Sequence, residues 1–100
     1  MENETFLSAA SSWEIAIKYA LGRLELPEPP KTYVPSRLVR SGATAMRIEH
    51  AHVLQVAELP RHHKDPFDRL LIAQAQVEGL TIVTSDAVFE RYDVRVLSAV

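Results

Sequence analysis

The chain has no cysteine among its 100 residues. That excludes a disulfide framework and a thiolate zinc site, and it suits a reducing, cytoplasmic setting. No apolar run approaches the ~20 residues that a membrane-spanning helix needs, so no membrane partner is expected. The opening Met1-Glu2-Asn3-Glu4 is acidic, unlike the basic start of a secretory signal. Internal repeats, low-complexity stretches and composition breaks are all absent. Residues 1–100 therefore read as a single domain with one modest core.

What is present is ordinary for a soluble globular chain, with 47% apolar and 24% charged residues. The net charge of −2 argues against a generally basic nucleic-acid binder. Its distribution is uneven. Lys31, Arg37, Arg40 and Arg47 fall in a stretch without acids, and Arg61-His62-His63-Lys64 stands just before an acidic segment. Such patches can follow a phosphate backbone around an acidic centre, or can equally be solvated surface.

The periodicity predicts alternating strands and helices. Thr5-Phe6-Leu7-Ser8 suits a strand end, and a helix follows from Ser11, with Trp13, Ala16, Ile17, Ala20 and Leu24 at three- and four-residue spacing. Pro27, Pro29 and Pro30 form a stiff connector. A helix is expected over about 32–41, a strand over 44–48 and another helix over roughly 49–58. The clearest helix is 66–78, with Asp65 as N-cap, Pro66 in the first position, Gly79 as stop, and Leu71, Ile72 and Ala75 as its buried stripe. Leu80 to Thr84 lacks polar alternation, as a buried parallel strand would. A short helical turn opens at Asp86, and Val94 to Leu97 forms a last edge strand. The alternation implies an α/β domain with a parallel sheet.

Three acids fall at comparable places. Ser11-Ser12-Trp13-Glu14 has the form of a capping box with Glu14 at N3, Asp68 sits at N3 of helix 66–78, and Asp86 lies just past strand 80–84. Helix starts that follow parallel strands lie at the ligand-binding end of such sheets. A single acid in a first helical turn needs no function, since the helix dipole makes it stabilising by about 0.3–1 kcal/mol. Convergence would change this, because two carboxylates 4 Å apart repel by about 4 kcal/mol at an effective dielectric of 20. A divalent cation relieves that repulsion, and hard oxygen ligands suit Mg²⁺ or Mn²⁺. His50, His52, His62 and His63 read as solvent or packing groups, and none is assigned as a base.

Ser8 through Lys18 with Gly22-Arg23-Leu24 resembles the segment around the conserved glutamate of PIN-domain toxins of the VapC type. Leu59 through Ala75, including Asp65-Pro66-Phe67-Asp68-Arg69, closely resembles that family's long motif around a central aspartate. Gly79 through Asp86 is similar to its final acidic motif. The resemblance implies a three-layer α/β/α fold, an acidic Mg²⁺ or Mn²⁺ site and endonucleolytic cleavage of RNA. It also implies a homodimer and a cognate antitoxin. Glu14, Asp68 and Asp86 match the family's second, third and fourth acids. They are the expected catalytic and metal-site residues. On this analogy Asp68 and a partner carboxylate would bind the metal, Glu14 would hold or help activate a water, and Asp86 would complete the shell.

The family opens with a strand ending in an aspartate that no residue here matches, so the domain is expected to be N-terminally truncated. In the family that strand lies between those matching 5–8 and 80–84, and without it two strand edges lose their pairing. Marginal stability, or filling of the gap by another strand or a second copy, is the expectation. Three readings follow: a toxin ribonuclease, an inactive remnant that keeps an antitoxin-binding or dimerisation surface, or an unrelated α/β domain whose acids are caps. The clustered-acid reading predicts that Asp68→Asn raises metal-free thermal stability and abolishes the metal-induced shift, whereas the cap reading predicts no effect on metal binding.

Overall fold

The structure is a computed structural model that describes residues 4–84 and 87–98. It divides into two compact units, Met1–Arg47 and Ile48–Val100. The order is β1 (Phe6–Ser8), α1 (Ala9–Ala20), α2 (Pro30–Ser41), β2 (Thr44–Met46), α3 (His50–Gln55) with a 3-10 turn (Val56–Glu58), α4 (Pro66–Glu78), β3 (Thr81–Thr84), a 3-10 turn (Ala87–Arg91) and β4 (Arg95–Ser98). The expected alternation is present, with parallel pairing in each unit.

In the first unit β1 pairs with β2 in parallel, Phe6 opposite Thr44 and Ser8 opposite Met46. The chain returns through α1 and α2, as a parallel connection requires. Helix α1 begins earlier than its sequence suggests. Ser8 is the N-cap, its hydroxyl accepting from the Ala10 N–H at 3.1 Å. The capping box expected at Ser11 is therefore not used, and Glu14 lies in the second turn rather than at N3. The strand runs straight into the helix, so the first serine able to receive an amide proton becomes the cap. Little of this unit is buried. Ala10 and Ser8 are covered, but Trp13 is 56% exposed, and α2 has no buried residue. The helical spacing of Trp13, Ala16, Ile17 and Ala20 is real, yet that face is exposed.

The second unit carries the core. Leu59, Ile72, Ala73, Phe89 and Tyr92 form its centre, with Val56, Ile82, Val88, Val94 and Val96 packed around them. Helix α4 has the boundaries read from the sequence, Pro66 to Glu78. Asp65 Oδ1 accepts from the N–H groups of Phe67 (2.8 Å) and Asp68 (3.2 Å), and Gly79 closes the helix at φ 69°. Only glycine takes that left-handed C-cap without strain. The buried stripe is broader than expected: Leu70, Ile72, Ala73, Gln74 and Ala75 are buried and Leu71 is half-buried.

The α3–α4 seam is polar. His52, 1% exposed, accepts the Glu49 N–H on Nδ1 at 2.9 Å. Its Nε2 must then carry the ring proton, which it donates to Glu78 Oε2 at 2.6 Å. His52 is thus a packing histidine, as its sequence suggests. Strands β3 and β4 pair in parallel with Ile82 opposite Val96. Those two side chains face the core, whereas Val83 and Leu97 are 65% and 60% exposed. The run 80–84 was expected to be buried on both faces; within this chain one face alone is covered. Among the described residues β1 and β3 each have one strand neighbour.

Ile72 is fully buried at the centre of the second unit. Ile72→Val, which removes one methylene there, is expected to lower unfolding free energy by about 0.5–1.5 kcal/mol in a urea titration.

Candidate metal centre

The carboxylate at Asp68 is built by the turn that precedes α4. Residues 59–64 lead into the Asp65 cap, and Pro66 at the first position fixes the backbone there. Asp68 follows at N3, where the peptide dipoles favour an anion. Its Oδ2 lies 2.6 Å from His63 Nε2. A carboxylate accepts, so Nε2–H is the donor. Both side chains are partly covered, His63 at 26% and Asp68 at 21% exposed.

The turn is held by the next residue of the helix. Arg69 Nη1 donates to the carbonyls of Pro60 (2.9 Å) and His63 (3.4 Å), and Nη2 to those of Val56 (3.2 Å) and Leu59 (3.4 Å). A planar guanidinium can serve four carbonyls at once because its donors fan out in fixed directions; an ammonium group cannot reproduce that fan. The adjacent histidines diverge. The His62 ring meets Tyr92 edge-on at 5.3 Å, and the His63 ring meets Phe89 at 6.5 Å.

His63, Asp65 and Asp68 each offer a donor atom, and these atoms lie within 4.8 Å of one another. Opposite ligands of an octahedral Mg²⁺ stand about 4.2 Å apart, twice its usual bond length. The cluster fits a small divalent cation after a slight closing of side chains. Because His63 Nε2–H is engaged by Asp68, the groups left to hold a cation are the Asp65 and Asp68 carboxylate oxygens, which suit Mg²⁺ or Mn²⁺. Asp65 uses one oxygen as the helix cap, as its sequence context suggests, so a role toward a cation falls to the other.

The three sequence-selected acids fare differently. Asp68 sits in this cluster. Glu14 belongs to the first unit, where its Oε2 pairs with Lys18 Nζ at 2.8 Å across one helical turn. Asp86 lies outside the described residues. His63 was read from the sequence as a solvent or packing group, and its contact with Asp68 corrects that. The signal was its position two residues before a helix cap, where the turn can fold a side chain back over N3. A cavity of about 510 Å³ in the first unit is lined by residues including Leu7, Ser12, Leu38, Met46 and Arg47. None of its lining residues is acidic.

The His63 contact adds a favourable interaction to the metal-free state of Asp68. Asp68 accepts a hydrogen bond from His63 Nε2–H and sits in the first turn of α4, with Asp65 as the like charge nearby. Asp68→Asn is therefore expected to lower metal-free stability by about 1 kcal/mol, from the weakened hydrogen bond and the lost dipole term. A thermal melt in chelator gives the sign, and a rise in midpoint would restore the repulsion argument. Arg69→Lys should lower stability by about 1–3 kcal/mol in the same melt, because most of the carbonyl bonds are lost although the charge remains.

A family model described as PIN domain matches residues 1–95. Ribonuclease VapC16 of Mycobacterium tuberculosis (strain ATCC 25618 / H37Rv) is 52% identical to the chain over 52 residues. That match covers 52% of this chain and 37% of the relative, so the matched stretch spans well under half the length of the curated protein. Nearly the whole chain fits the family model, and the parallel α/β pairing agrees with it. The chain belongs to the PIN domain family.

Proposed function

We propose that this PIN domain serves as a metal-dependent endoribonuclease of a toxin–antitoxin pair, cleaving RNA phosphodiester bonds at an acidic site. The observation that carries the reading is Asp68, fixed at the start of α4 with the Asp65 carboxylate and the His63 ring close by, their polar atoms within 4.8 Å of one another. Similarity to a protein named as a ribonuclease supports the reaction class. Asp68 would hold the cation, with Glu14 and Asp86 as the further acids matched by the resemblance. Bound Mg²⁺ or Mn²⁺ supplies positive charge beside the scissile phosphate and makes water there more acidic. The chain's own groups then have defined tasks. Asp65 and Arg69 fix the turn and helix start, and Asp68 presents its carboxylate. Arg61, His62 and Lys64 are exposed beside the cluster in sequence and suit contact with an RNA backbone. A cognate antitoxin and a second copy of the chain are the proposed protein partners, in the cytoplasm.

A second reading has its own support. Trp13, Leu21, Val39, Val83 and Leu97 are each more than half exposed. Large apolar side chains left bare in such number suit surfaces covered by another chain. On that reading the protein binds an antitoxin or a second copy and does not cleave RNA.

A cleavage assay on total and transfer RNA with Mn²⁺, run on the chain beside its Asp68→Asn variant, separates the two. The enzyme reading expects cleavage by the parent and none by the variant. No cleavage by either, from protein shown to be folded by circular dichroism, would favour the binding module.

A further inference from the structure

His63 is tied down on three sides. Its backbone carbonyl accepts from Arg69 Nη1, its ring rests edge-on against Phe89, and its Nε2 reaches Asp68 Oδ2 at 2.6 Å. Phe89 is 4% exposed and belongs to the core, so it is a fixed surface for the ring. Arg69 follows Asp68 directly on α4, so the turn that carries His63 is fastened to the helix that carries the carboxylate. His62 is turned toward Tyr92 and takes no part. The imidazole and the carboxylate are thus brought together by separate restraints rather than by their mutual attraction alone.

We propose that His63 is a positioning residue for Asp68: its Nε2–H holds one carboxylate oxygen and thereby fixes the rotamer in which Asp68 meets a divalent cation. An aspartate at a helix start has two torsions to settle before it can bind, and a held oxygen settles both in advance. Hydrogen bonds from outside the ligand set orient metal-binding side chains in this way, and their removal typically weakens metal affinity by about 10–100-fold. The inference rests on the reading of Asp68 as a metal-binding residue and gives that site a component outside the three matched acids.

The test is Mn²⁺ binding by the full chain, measured by calorimetry on wild type, His63→Gln and His63→Asn. Both variants lose the ring contact with Phe89 and keep an amide donor. The glutamine amide nitrogen reaches the place of Nε2, whereas the asparagine amide reaches only that of Nδ1. Wild type and His63→Gln should bind with similar affinity, and His63→Asn about 10–100-fold more weakly. Thermal melts of both variants report the packing loss separately, and a merely structural role would weaken the two alike. Equal affinity of the two variants, or a directly coordinated imidazole ¹⁴N signal in pulsed electron paramagnetic resonance of the Mn²⁺ protein, would overturn the proposal. Failure of wild type itself to bind Mn²⁺ would instead overturn the metal reading of Asp68, and this inference with it.

Discussion

The guanidinium of Arg69 donates to the carbonyls of Val56, Leu59, Pro60 and His63, and the second unit is organised around that fan of bonds. Carbonyls in a turn between two helices have no ladder to pair them, and leaving several unpaired against a core would be expensive. One side chain resolves the problem because its donors are coplanar and spaced to match. The consequence is geometric. Leu59 is held where it joins Ile72 and Phe89 in the core, and the same turn delivers His63 to the helix start. Core packing and the candidate site are therefore outcomes of one constraint.

Helix α4 joins local capping chemistry to core packing and to the candidate site. Asp65, Pro66 and Gly79 define its ends by local chemistry, and Ile72, Ala73 and Ala75 are buried in its interior. Placing Asp68 at N3 satisfies the dipole, but the same position suits a cation, so the local stabilisation and the proposed chemistry do not compete. His52 does comparable work on the far side. Its ring links the start of α3 to Glu78 at the end of α4, which fixes how the two helices pair.

The first unit is the converse case. Its sequence has a clear apolar helical rhythm, yet Trp13 and its neighbours on α1 are exposed, and α2 buries nothing. Pro35 inside α2 removes a helical hydrogen bond as well. Periodicity states that a face is apolar and not what covers it. The exposed faces of Val83 and Leu97 in the second unit follow the same logic, since a parallel strand is normally covered on both sides.

Local signals determined a good deal by themselves. The limits of α4, the Asp65 cap, the Gly79 stop and the alternation of strands and helices were legible because caps, turns and apolar spacing act over a few neighbouring residues, and the PIN family was legible from the resemblance of its motifs. The start of α1 was misplaced by three residues because Ser8 and Ser11 offer equivalent caps, and only the strand pairing Phe6–Ser8 with Thr44–Met46 selects between them. The site divided in the same way. Asp68 could be chosen from its place in a motif. The contact between His63 and Asp68 could not, because it depends on Arg69 gathering carbonyls up to thirteen residues away and on Phe89 standing behind the ring. Sequence spacing fixes what one helical turn or one cap can reach; contacts made across a core are decided by tertiary packing.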